Sequence, residues 1–165
     1  MSDALSPDDL DDTFERFDHL ALAVRDIRAV LPLLQLMGGV YRTGGRHPTA
    51  GFTWVQFMLP GDTKLELLTP ADPSDGDHFL NRFLEGRGEG PHHVTFKVRD
   101  LRTAVAATRR AGYEVVGESY GGSWQEAFVH PATAHGLLIQ LAQWDDGVAA
   151  PPRALEDVLE SIAET

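Results

Sequence analysis

Residues 17–24, FDHLALAV, place side chains alternately on two faces, the period of a half-buried β-strand, and an aspartate follows at position 26. Asp26 suits the N-cap of a helix that closes at Gly38, because a short acidic side chain satisfies free N–H groups and glycine tolerates the left-handed turn at a helix end. Two stretches rich in β-branched and aromatic residues come next, GFTWVQFML and TKLELLTP, separated by Gly, Asp and Pro turns. Then the pattern starts again. PHHVTFKVRD at 91–100 supplies a strand and a second cap at Asp100, a helix runs to Gly112, and the strands QEAFVHP and GLLIQLAQ follow.

His19 and His93 stand 74 positions apart, and in that register Val24, Arg25, Asp26, Arg28 and Gly38 meet Val98, Arg99, Asp100, Arg102 and Gly112 as identities. Repeats at a fixed spacing decide an architecture more firmly than any single segment. The expectation is an α+β chain with one domain over residues 17–144, built of βαβββ modules at 17–70 and 91–144. The glycine pairs at 44–45 and 121–122 do not lie between a strand and a helix, so they read as hairpin turns and not as phosphate loops.

Between the modules, residues 71–90 hold Phe79, Leu80, Phe83 and Leu84 at helical spacing, which predicts a linker helix. Residues 145–165 predict an amphipathic C-terminal helix with Leu155, Val158, Leu159 and Ile162 on one face, a stripe for core packing or a partner subunit. The acidic residues 1–16 read as disordered.

A chain of 165 residues with 42% hydrophobic content suffices for one well-buried core. With no cysteine there is no disulfide, zinc-thiolate site or cysteine nucleophile. The first residues lack a basic stretch followed by an apolar run, and no apolar run is long enough to span a bilayer, so the expected setting is the cytoplasm. A formal net charge of −11 speaks against nucleic acid and anionic membranes as partners. Arg42, Arg46 and His47 form a local basic cluster, read as a solvated loop.

The candidate chemistry comes from the same register. Glu66 in KLELLTP falls on Gln140 in LLIQLAQ, and both are polar intrusions into apolar strands. Leu65, Leu67, Ile139 and Leu141 alternate to the opposite face, where helices would cover them, so Glu66 and Gln140 point the other way. By the same parity His19 shares a face with Ala21 and Ala23, and His93 with Thr95 and Lys97. Two imidazoles, a carboxylate and an amide oxygen are a nitrogen and oxygen donor set for a divalent ion: Zn²⁺, Co²⁺, Ni²⁺, Mn²⁺ or Fe²⁺. Taken singly, each residue is more simply a hydrogen-bonded core group, with Lys64 or Lys97 as partners for Glu66. Their joint agreement in register, parity and chemistry favours a metal site. His92 alternates away from His93, His130 and His135 belong to turns, and Trp54 and Phe128, which match across the repeat, read as packing residues.

These segments resemble the vicinal oxygen chelate (glyoxalase, bleomycin resistance and dioxygenase) superfamily over residues 17–144, in which paired βαβββ modules form a cupped mixed sheet around a divalent metal. Within it DHLALAV, DTKLELLTP, GPHHVTFKVRDL and FVHPATAHGLLIQL look most like methylmalonyl-CoA epimerases. The resemblance implies metal ligands at His19, Glu66, His93 and Gln140, a small-molecule substrate such as an acyl-CoA, and a homodimer. It implies an isomerase or epimerase that works through an enolate α to a carbonyl; as base for that step the candidate is Glu66, the one acid whose position the strand pattern argues, with His47 or His135 as candidates on the opposite face. Two departures stand out: family members commonly carry glutamate where Gln140 stands, and no Asp or Glu occurs between Asp26 and Asp62. A glyoxalase I-like lyase and a non-catalytic, bleomycin-resistance-like binding protein are the alternatives, and a non-haem iron oxygenase is a third.

Overall fold

The structure, a computed structural model, describes residues 13–146 and 153–163. Among them, eight strands and four helices run in the order β1 (Phe14–Ala23), α1 (Ile27–Leu36), β2 (Val40–Arg46), β3 (Phe52–Leu59), β4 (Thr63–Pro70), α2 (Phe79–Arg87), β5 (Gly90–Val98), α3 (Leu101–Arg110), β6 (Val115–Ser119), β7 (Trp124–Val129), β8 (Ile139–Trp144) and α4 (Leu155–Ala163). The mixed α+β class and the doubled βαβββ order agree with the sequence pattern. The chain divides into two compact units. One holds residues 19–92 with the terminal helix, the other residues 13–18 with 93–146.

In the first unit the strands lie in the order β2-β3-β4-β1, with β1 parallel to β4 and the other pairs antiparallel. In the second the order is β5-β8-β7-β6, with β5 parallel to β8. Each parallel pair needs a crossover, and a helix supplies it. The two crossover helices start alike: Asp26 and Asp100 adopt almost the same extended backbone, φ −140° and −138°. Their carboxylates accept from the N–H groups of Arg28 and Thr103. Both helices stop alike too, at Gly38 (φ 75°) and Gly112 (φ 91°), where the left-handed turn suits a residue without Cβ.

The apolar face of each unit carries a core. Leu65, Leu67, Val55 and Phe57 pack with Ile27 and Leu34 of α1 and Val158 and Leu159 of α4. Leu141, Ala127 and Val129 pack with Leu101, Ala104 and Val105 of α3. The terminal helix therefore packs into a core, and it begins at Leu155, with residues 147–152 outside the described ones. The linker helix spans 79–87 and buries Leu80 and Leu84 against Ala21, Ala23 and Leu68.

Three expectations are corrected. Residues 13–16 belong to ordered structure, β1 starting at Phe14, because Phe14 meets the Phe96 ring edge-on at 6.1 Å and Glu15 pairs with Lys97 at 3.2 Å; residues 1–12 lie outside the described ones. Gly44 and Gly45 lie inside β2, not in a turn. At Gly44 a Cβ would come within 2.7 Å of the Trp54 carbonyl oxygen and 2.9 Å of Val55 Cγ1, so the glycine permits close strand approach. Arg42 and Arg46 consequently extend from a strand, exposed, and not from a loop.

Candidate functional site

In the first unit, β1 and β4 pair in parallel with Ala21 opposite Glu66, which sets His19 two residues earlier on the same face. Both side chains are buried: His19 is 1% and Glu66 8% exposed. His19 Nε2 stands 3.6 Å from Glu66 Oε1. The other carboxylate oxygen, Oε2, accepts a hydrogen bond of 2.7 Å from Gln56 Nε2, the residue directly opposite on β3. A distance of 3.6 Å is long for a hydrogen bond. It suits two donors of one ion, since ligands at about 2.1 Å in a tetrahedral arrangement lie about 3.4 Å apart. The donor types and their spacing thus fit a divalent cation.

The second unit repeats the geometry at the same offset. Thr95 lies opposite Gln140, 74 positions on from the Ala21 and Glu66 pair, and His93 precedes Thr95 by two on the same face. His93 is 7% and Gln140 8% exposed. The Thr95 hydroxyl donates to Gln140 Oε1 at 2.6 Å, and Gln140 Nε2 donates to Glu126 Oε2 at 2.7 Å. The His93 ring meets Phe128 edge-on at 6.4 Å.

Glu126 has no counterpart in the reading of the sequence. Its strand parity was available: Phe128 lies opposite Gln140 and Glu126 opposite Ala142, so all four share one face. Gln56 reaches the site in the same way, from its place opposite Glu66. Each unit therefore holds one carboxylate and one amide in hydrogen-bond contact, but the carboxylate sits on β4 in the first unit and on β7 in the second.

The remaining candidates are held elsewhere. Lys97 bonds Asp146 at 2.6 Å and Glu15 at 3.2 Å, and its ammonium lies 5.0 Å from the centre of the Trp144 ring. Those acids, Glu15 and Asp146, hold the Lys97 ammonium. His47 Nδ1 accepts from the N–H of Ala50 at 2.9 Å and ties a turn. His135 is exposed, with φ 55°, and His130 Nδ1 accepts from Ala132 N–H. Trp54 packs at the edge of the Leu68, Leu80 and Leu84 cluster. His92 lies between Phe79 and Phe83. Burial lowers its pKa to about 4, the Glu66 charge opposing the shift and Arg87 adding to it, so the ring is neutral at pH 7.

Two βαβββ units that repeat a first-strand histidine and a fourth-strand oxygen donor define a duplicated α+β class with a nitrogen and oxygen donor set. The chain belongs to the Glyoxalase/Bleomycin resistance protein/Dioxygenase superfamily, whose family model matches residues 18–128. Among similar proteins, the ethylmalonyl-CoA/methylmalonyl-CoA epimerase of Cereibacter sphaeroides is 29% identical over 133 residues, 78% of this chain and 97% of that protein. The mitochondrial methylmalonyl-CoA epimerase of Homo sapiens is 28% identical, covering 78% of this chain and 73% of its own. A solved Streptomyces coelicolor methylmalonyl-CoA epimerase variant, in complex with 2-nitronate-propionyl-CoA, superposes with a TM-score of 0.68 at 26% identity, over 79% of this chain and 98% of that one. Among the described residues no helix is long and apolar enough to cross a membrane.

Proposed function

We propose that the protein is a metal-dependent epimerase or isomerase acting at the carbon α to the carbonyl of an acyl-CoA thioester. The observation that carries this reading is the repeated register, Ala21 opposite Glu66 and Thr95 opposite Gln140, with a buried histidine two residues before each. In this reading His19, Glu66, His93 and Gln140 hold one divalent ion, and the epimerase relatives support the choice of substrate class. The ion would supply positive charge to offset the negative charge that develops on the carbonyl oxygen when the α-proton leaves.

The chain's own residues supply the proton transfer. Gln56 N–H holds Oε2 of Glu66, so Oε1, on the His19 side, would serve in turn as ligand at rest and, when released from the ion, as the base that takes the α-proton. The same carboxyl group, once its proton has exchanged with solvent, protonates the planar intermediate: delivery to the original face restores the centre, and delivery after the intermediate has turned over inverts it. Burial restricts water at the site, Glu66 being 8% exposed, and that residual exposure lets its proton exchange with solvent.

The test has two parts. Protein purified without chelators is analysed for bound metal, then incubated in deuterium oxide with methylmalonyl-CoA. The expected result is about one divalent ion per chain and deuterium at the α carbon, with Glu66→Gln slowing exchange by roughly 10²–10⁴-fold. Absence of both metal and exchange would sink the proposal. Metal with turnover of a glutathione hemithioacetal but no exchange into methylmalonyl-CoA would move the assignment to a glyoxalase-like lyase.

A further inference from the structure

A glutamine is an ambiguous metal ligand. Only its oxygen coordinates, and rotation of the carboxamide by half a turn replaces that oxygen with an NH₂ group. Where the site uses Gln140, something has to decide which end faces the ion. In the second unit the deciding group is visible. A carboxylate only accepts hydrogen bonds, so the Gln140 atom 2.7 Å from Glu126 Oε2 is the amide nitrogen. Oε1 is thereby directed toward β5, where the Thr95 hydroxyl donates to it at 2.6 Å. Thr95 lies on the same strand face as His93, two residues on. Glu126 is itself anchored, since Trp124 Nε1 donates to the same Oε2 at 2.8 Å and the Trp124 ring stacks on Trp144 at 4.9 Å.

We infer that Glu126 is a positioning residue that locks the Gln140 carboxamide with its oxygen presented as a metal ligand. The inference rests on the metal site proposed above. Charge adds to geometry: a carboxylate bonded to the amide N–H draws electron density toward Oε1 and makes a neutral ligand more basic, as outer partners do for histidine ligands. The acid absent from position 140 is thus present one bond further out. In the first unit the roles are exchanged, with the carboxylate of Glu66 as donor atom and the amide of Gln56 as its support.

The test is Co²⁺ titration of chelator-stripped protein, followed by calorimetry and by the visible absorption of bound cobalt, neither of which depends on turnover. Glu126→Gln offers Gln140 an N–H as readily as an oxygen and frees the flip. It is expected to weaken Co²⁺ binding on the order of 10–100-fold and to change the cobalt spectrum. Adding Gln140→Glu to Glu126→Gln restores affinity to within a few-fold of wild type, because a carboxylate presents oxygen in either orientation. Near-ultraviolet circular dichroism checks the metal-free fold; if Glu126→Gln does not keep it, Glu126→Ala is judged by the same titration and the same rescue. Unchanged affinity and spectrum in a folded Glu126 variant overturn the inference, and so does a loss that Gln140→Glu does not rescue. Failure of the wild type to bind Co²⁺ is a different result, which removes the metal site itself and the inference with it.

Discussion

His92 and His93 are neighbours in sequence, yet strand alternation gives them different surroundings. His93 joins the polar face of the second unit, while His92 is held among the Phe79 and Phe83 rings, at 5.8 and 4.9 Å between centroids. Its pKa of about 4 against 6.5 means that, between those values, the unfolded chain binds a proton that the folded one refuses. Stability attributable to this residue is level above pH 6.5 and falls as pH drops toward 4, by about 1.4 kcal/mol per pH unit. His92→Phe removes the titrating group and keeps an aromatic ring beside two others. Urea unfolding of metal-free protein should therefore show the wild type losing about 2 kcal/mol more than His92→Phe between pH 6.5 and 5. Parallel pH profiles for the two proteins would refute this.

The linker helix α2 shows how an element forms with little intrinsic support. It has no acidic residue in its first turn, and its N-cap is a histidine: His78 Nδ1 accepts from Leu80 N–H while Nε2 bonds the Ala50 carbonyl at 2.8 Å. The second bond requires the proton on Nε2, which leaves Nδ1 free to cap. Packing supplies the rest. Of the four apolar residues that mark the helix in sequence, Leu80 (0% exposed) and Leu84 (2%) cover Ala21, Ala23 and Leu68. Phe79 and Phe83 turn to the histidines. The alanines of β1 leave room for those leucines, so each side is shaped to the other. Leu80→Ala is expected to cost about 2–5 kcal/mol, the range for a cavity at a fully buried leucine, read as a lowered urea midpoint with unchanged m-value. A change under about 1 kcal/mol would show that the helix does not depend on this contact.

At the scale of the whole chain, the 74-residue repeat made the doubled βαβββ order legible, and strand parity placed His19, Glu66, His93 and Gln140 on the faces where they are found. What the sequence leaves hidden has physical causes. Glu126 and Gln56 are not related by the repeat, so symmetry could not flag them; only pairing with β8 and β4 brings them to the site. The partners of Lys97, Glu15 and Asp146, are distant in sequence, and Glu15 precedes the point where alternation becomes visible. Gly44 gave no warning that it sits inside a strand, because a close backbone approach and a turn both select glycine. The terminal stripe was legible as a buried face, but its destination was not. The structure sends it to the first unit, where Val158 is 0% and Leu159 4% exposed among Val55, Phe57 and Leu65, and where the Tyr41 hydroxyl donates to the Arg153 carbonyl at 2.9 Å. That helix belongs to a core assembled from residues at least 91 positions before Val158, so it should act as part of the unit and not as an appendage. Truncation after Asp146 uncovers that apolar surface at several kcal/mol, since each large buried side chain contributes roughly 1.5–3 kcal/mol. The expected outcome is faster hydrogen exchange in β2 and β3 together with binding of a hydrophobic dye. Native-like protection of those two strands in the truncated chain would show that their core closes without α4.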